Sequence, residues 1–149
     1  MAKQPVPPVA LYESDETAWL ELTADLVAQG RFKELDRENL VDYLRDMAKR
    51  DMREVENRLR LLMAHLLKWQ YQPEKRSNSW RGTIVSQQHE LPGLLDSGTL
   101  RKHADRVLAK CYLGAVEEAA AETGLPTEKF PRLCPYTVDW LLSSKLAAE

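Results

Sequence analysis

His65 stands in a run of leucines, three residues after Leu62 and four before Trp69. An imidazole there can act as a general base or a metal ligand, because its charge changes near neutral pH. The plainer role is a half-buried ring bonded to a backbone or carboxylate group, since histidine is commonly intermediate in burial. A cationic set follows. Lys68, Lys75, Arg76 and Arg81 flank Ser79 and Trp80, Arg58 and Arg60 lie just upstream, and only Glu74 opposes them across that span. Arginine and tryptophan beside a helix N-terminus can hold a phosphate and stack a base. A solvated basic face, or arginines paired with carboxylates from the first helix or the C-terminal tail, needs no ligand at all.

Other chemistry is missing from the sequence. Glu-x-x-His, the motif of di-metal bundles, does not occur: Leu62, Ser86 and Leu100 stand three before His65, His89 and His103. Cys111 and Cys134 are far apart and belong to no CxxC, so in a reducing compartment they read as free thiols. No phosphate loop, dinucleotide fingerprint, zinc-protease helix or nucleophile elbow is present. Neither a metal nor a cofactor is expected. An enzyme would have to assemble its site across helices, as with His65 beside Asp42 or Glu90.

The elements that would position these residues read as helices. From Leu59, apolar residues fall at Leu62, Met63, Leu66 and Leu67, with Trp69 next, in steps of three and four. Pro73 ends that helix. Ser77, Asn78 and Ser79 offer caps for the next, in which Trp80, Ile84, Gln87 and Leu91 keep the period. The result is an αα-hairpin with a basic loop, its corner closed by Trp69, Tyr71 and Trp80, and Trp80 is expected to pack on Trp69 or Leu66. The helix entering the hairpin reaches back to about Asp36 without a Gly or Pro. At 1.5 Å per residue that is about 50 Å, longer than a compact domain of this size. It must bend near Lys49–Arg53, where its stripe is most polar, or project and pack on a second subunit.

A first helix should start at Ser14 or Asp15 and end at Gly30. The third should cover 79–95, with Pro92 as a kink or break. The fourth runs from about Leu100 to Thr123, stopped by Gly124 and Pro126. A short last helix spans about Tyr136 to Lys145 and buries Val138, Leu141 and Leu142. Residues 1–13, with three prolines, read as extended or disordered, and 14–149 as a single helical domain. The fold class is all-α, a bundle of about four to five helices built on the long αα-hairpin.

The segment RLRLLMAHLLKWQYQPEKRSNSWRGTI resembles, without gaps, the signature of the bacterial domain-of-unknown-function 29 family, roughly RLxxLLxHLLKWxYQPxxRSxSWxxTI. LYESDETAW near the N-terminus is similar to that family's YxxDFxxW opening, and the likeness extends to FPRLCPYTVDWLL. This chain departs at Glu16 and Thr17, where aromatics are more usual in the family, and at Gln88 in place of arginine. The resemblance implies an all-helical fold and no assigned activity.

A formal charge of −2 gives no bulk attraction to nucleic acid or membrane, so such binding needs a local patch. No stretch approaches a membrane span and no secretory leader is evident, which makes the cytoplasm the expected location. Three functional readings follow, in order. The first is a non-enzymatic helical module that binds another protein or itself, as in a homodimer, resting on the overlong helix. The second is a nucleic-acid or anion-binding module through Lys68, Lys75, Arg76, Ser79, Trp80 and Arg81. The third is a small enzyme using His65.

Overall fold

The computed structural model describes residues 6–143, and these are all-α. Six α-helices occur among them: α1 (Pro8–Ser14), α2 (Glu16–Ala28), α3 (Arg37–Tyr71), α4 (Asn78–Leu94), α5 (Gly98–Thr123) and α6 (Val138–Ser143). Single 3-10 turns lie at Phe32–Glu34, Pro73–Lys75 and Thr127–Lys129. The contacts fall into two compact units, residues 1–49 and 50–149. A single domain over 14–149 is what the sequence suggests. The division comes inside α3, at the polar stretch where the sequence suggests a bend, yet helical structure runs through it.

In the N-terminal unit the expectation of an extended or disordered segment over 1–13 is corrected from Pro8 onward, where α1 is helical, while residues 1–5 lie outside the described residues. Pro8 sits at the first helical position, where its missing N–H and fixed φ suit a helix start. This added helix accounts for six where four to five were expected. Asp15 caps α2, its side chain accepting from Ala18 N–H at 3.1 Å. At the other end Gly30 adopts φ +70°, and Arg31 N–H reaches back to the Leu26 carbonyl at 2.9 Å. That left-handed C-terminal closure needs glycine. The unit is centred on Trp19, fully buried between Tyr12 and Tyr43 at ring distances of 4.9 and 5.7 Å. Its indole N–H donates to Asp36 Oδ2 at 3.2 Å, and Asn39 Nδ2 donates to the same oxygen at 2.7 Å. Asp36 thus satisfies a buried donor just before α3, where negative charge also suits the helix dipole.

In the C-terminal unit the core is continuous. Val55, Leu59, Leu62, Met63, Leu66 and Leu67 of α3 are fully buried, as are Ile84 and Leu91 of α4 and Ala104, Ala115 and Ala119 of α5. Small residues on α5 let α3 come close: a Cβ added at Gly114 would stand 3.2 Å from Arg60 Cδ, and Arg60 pairs with Glu118 at 3.5 Å. Gly124 closes α5 at φ +75°. The tail returns over this core, with Tyr112 Oη donating to the Pro131 carbonyl at 2.5 Å and Tyr71 packing edge-on to Phe130 at 5.4 Å. Burial pushes the Tyr112 phenol up to about 12 and raises that of Tyr136.

Several boundaries move. Pro92 does not end α4, which runs two residues further, since a proline this near the end removes only one intrahelical bond. The last helix starts at Val138, two residues later than expected, with Thr137 Oγ1 accepting from Trp140 N–H at 3.1 Å. Leu142 is half-buried rather than buried, and Lys145 lies outside the described residues. Cys111 and Cys134 are free thiols, the first buried and the second half-buried.

Candidate functional site

The corner between α3 and α4 gathers most of the residues singled out in the sequence. Ser77, rather than Ser79, is the cap of α4, accepting from Trp80 N–H at 3.2 Å. Its β-region backbone frees the hydroxyl for that role. Ser79 is exposed in the first turn, and its carbonyl accepts from Thr83 Oγ1 at 3.1 Å. Lys75 is exposed in the preceding 3-10 turn. Arg76 Nε donates to the Trp69 carbonyl at 2.8 Å, an orphan acceptor at the end of α3, and its guanidinium lies 4.7 Å from the Trp69 ring centroid. Arg81 approaches the same ring at 5.6 Å. Cation–π contact with two arginines therefore covers the nearly buried Trp69.

No carboxylate forms an ion pair with Arg76 or Arg81 among the described residues, and both guanidinium groups lie against Trp69 instead. The two arginines line a recess with Trp69, Ser77 and Asn78.

Lys68 is not part of that open surface. It is 4 % exposed, paired with Glu122 of α5, and its ammonium stands 5.1 Å from the Trp80 ring. Trp80 is half-buried against the core, with Lys68 over its face. Glu122 is far from this segment in sequence and has no motif around it, so nothing in the pattern could have named it.

His65 is half-buried. Nδ1 lies 2.9 Å from the Leu61 carbonyl and so carries the proton, which leaves Nε2 to accept from Lys68 Nζ at 3.4 Å. Burial holds its imidazole below the usual histidine value. The Leu61 carbonyl acts against that, Lys68 adds to it, and Glu122 and Glu118 act against it more weakly. Both ring nitrogens are engaged within α3. No group of three His, Cys, Asp or Glu among the described residues is placed to hold a metal ion.

A second surface lies in the N-terminal unit. Val41 and Leu44 of α3 are 37 % and 58 % exposed, and Ala48 is exposed as well. At about 100° per residue these three share roughly a 60° arc. Leu40, Tyr43 and Met47, on the adjoining arc, are half-buried. Periodicity marks an apolar face but not what covers it.

The protein-family comparison matches residues 11–147 to the family described as Domain of unknown function DUF29. The chain belongs to that family. Its description carries no activity, and neither the curated proteins nor the solved structures give a match. No helix among the described residues is long and apolar enough to cross a membrane.

Proposed function

We propose that this DUF29 protein is a non-enzymatic helical interaction module, and that it engages its partner through the N-terminal half of α3. The observation that carries the reading is the uncovered face of Val41, Leu44 and Ala48. Contiguous apolar surface on a helix is the usual mark of a docking site. The small core of the unit supports it further: Trp19 and Leu26 are its buried apolar side chains among the described residues. A unit this small gains stability by burying more surface against a partner. The test is a benzophenone amino acid placed at Leu44, at Val41 and, as a control, at exposed Lys102 of α5, with irradiation in the producing cells. Adducts are expected from the first two positions and not from the third. Absence of adducts at both Leu44 and Val41 would remove the reading.

One observation favours a second reading, an anion or nucleic-acid site at the corner. Arg76 and Arg81 reach the N-terminal turn of α4 without a carboxylate partner among the described residues. An anion there would complement both guanidinium groups and the free N–H groups of the helix.

A further inference from the structure

We infer that the partner covering the α3 face is a second copy of this chain, its α3 running antiparallel about a twofold axis. This rests on the reading of that face as an interaction surface and names its occupant. The argument is the order of charge along one edge. Glu38, Asp42, Arg45 and Lys49 recur at steps of four, three and four, which keeps them within roughly 60° of arc beside Val41. All four are exposed, and none is in an ion pair among the described residues.

Within their own helix only Asp42 and Arg45, at i,i+3, are opposite charges among these four; Glu38 with Asp42, and Arg45 with Lys49, are like charges at i,i+4, which repel. A parallel neighbour about a twofold axis would set this edge against the opposite edge of the second copy, where Leu40 and Met47 offer no charge. An antiparallel neighbour does the opposite. A twofold axis midway between Asp42 and Arg45 sets Asp42 against Arg45 of the second copy, and the same axis sets Glu38 against Lys49. Symmetry repeats both pairs, and Leu44 of each copy meets the other near the axis. Self-complementarity of this kind is what an isologous interface requires, and flanking charges of this kind set helix orientation in coiled coils.

The test uses sedimentation equilibrium of the full chain at micromolar concentration. The wild type is expected at twice the 17.1 kDa chain mass, and Leu44→Glu at the single mass. One variant carries Glu38→Lys with Asp42→Lys, and another carries Arg45→Glu with Lys49→Glu. Each alone should sediment as a monomer, and their equimolar mixture should recover the dimer. Circular dichroism and Trp19 fluorescence check that each variant is folded. The altered positions are exposed and leave the Trp19 contacts in place. Charge variants that remain dimeric, or a mixture that stays monomeric, overturn the antiparallel pairing. A monomeric wild type whose Leu44 photo-adduct holds a different protein overturns the second copy and leaves the interaction surface standing. A monomer with no adduct ends both.

Discussion

Between Val55 and Leu66 the apolar face of α3 is sealed. Val55, Leu59, Leu62 and Leu66 show no exposure, being covered within the C-terminal unit by α4, α5 and the tail. Between Val41 and Ala48 the same register positions stand open, with Leu44 at 58 %. The residue types hardly differ, since leucine, valine and alanine occupy both stretches. The difference lies in what the chain brings to each. The C-terminal unit has α4 and α5 to enclose α3, whereas the N-terminal unit has α1 and α2, with Trp19 of α2 set against Tyr43 on the adjoining arc of α3 and bonded to Asp36 just before that helix. Amphipathic pattern therefore reports a demand for burial, and only the count and length of neighbouring helices decides whether the monomer meets it.

Truncating one leucine in each half breaks or sharpens this contrast most strongly. Leu62→Ala should destabilise the protein by about 2–5 kcal/mol, through lost transfer energy and an unfilled cavity. Leu44→Ala should change the stability of the isolated chain by no more than about 0.5 kcal/mol, as exposed substitutions do. Urea unfolding at submicromolar concentration measures both. Equal losses would mean that the Leu44 face is covered within the monomer.

The next effect concerns the C-terminal unit alone, where burial extends to a charge. Glu122→Gln leaves the nearly buried Lys68 ammonium without its carboxylate, held by the His65 ring and the Trp80 face. A loss of about 1–2 kcal/mol is expected, below the ~3–5 kcal/mol of a fully buried pair, because the Glu122 side chain is half-exposed and screened. An unchanged urea midpoint would show that water already serves Lys68 in place of Glu122.

His65 gives a smaller, pH-dependent signal from the same sealed half. Its folded pKa is lowered by burial, so as pH falls the unfolded chain takes up the proton first. The stability linked to this neutral ring is complete above the unfolded pKa of about 6.5 and is lost as pH falls from there through the lowered folded value. Wild type should therefore lose urea resistance over that window more steeply than His65→Gln. The difference in slope stays below about 1.4 kcal/mol per pH unit. Parallel profiles would mean that the Leu61 carbonyl, with Glu122 and Glu118, already cancels the effect of burial.

Much of this was legible in the residues themselves. Leu59 to Trp69 announces its helix by period, Pro73 stops it, Ser77 is among the named caps, and Gly30 and Gly124 mark their ends because the left-handed turn suits only glycine. The N-terminal prolines misled, because the same residue that favours extended chain also starts a helix at its first position, as Pro8 does. The corner was legible as a cluster of Trp69, Arg76 and Arg81 but not in its wiring. Lys68 finds Glu122, and Gln88 donates to the Leu141 carbonyl, through contacts that only the folded chain creates. The open face of Val41 and Leu44 was not legible, because helical period marks an apolar face without showing what covers it.

The smallest expected effect concerns that corner, which is neither sealed like the core nor open like the Leu44 face. If Arg76 and Arg81 serve an anion, single-stranded nucleic acid should bind at low salt and weaken linearly on a log–log plot as salt rises. Changing both to alanine should then flatten the slope by about one to two units. The same change also uncovers Trp69 and strands its carbonyl, so a folding defect could mimic lost binding. Arg76→Lys with Arg81→Lys separates the two effects. Lysine keeps the charge that displaces counterions and loses the planar stacking on indole. A slope preserved in the lysine pair and lost in the alanine pair identifies the arginines as phosphate contacts. No binding at low salt, or one slope for all three proteins, leaves them as the cover of Trp69.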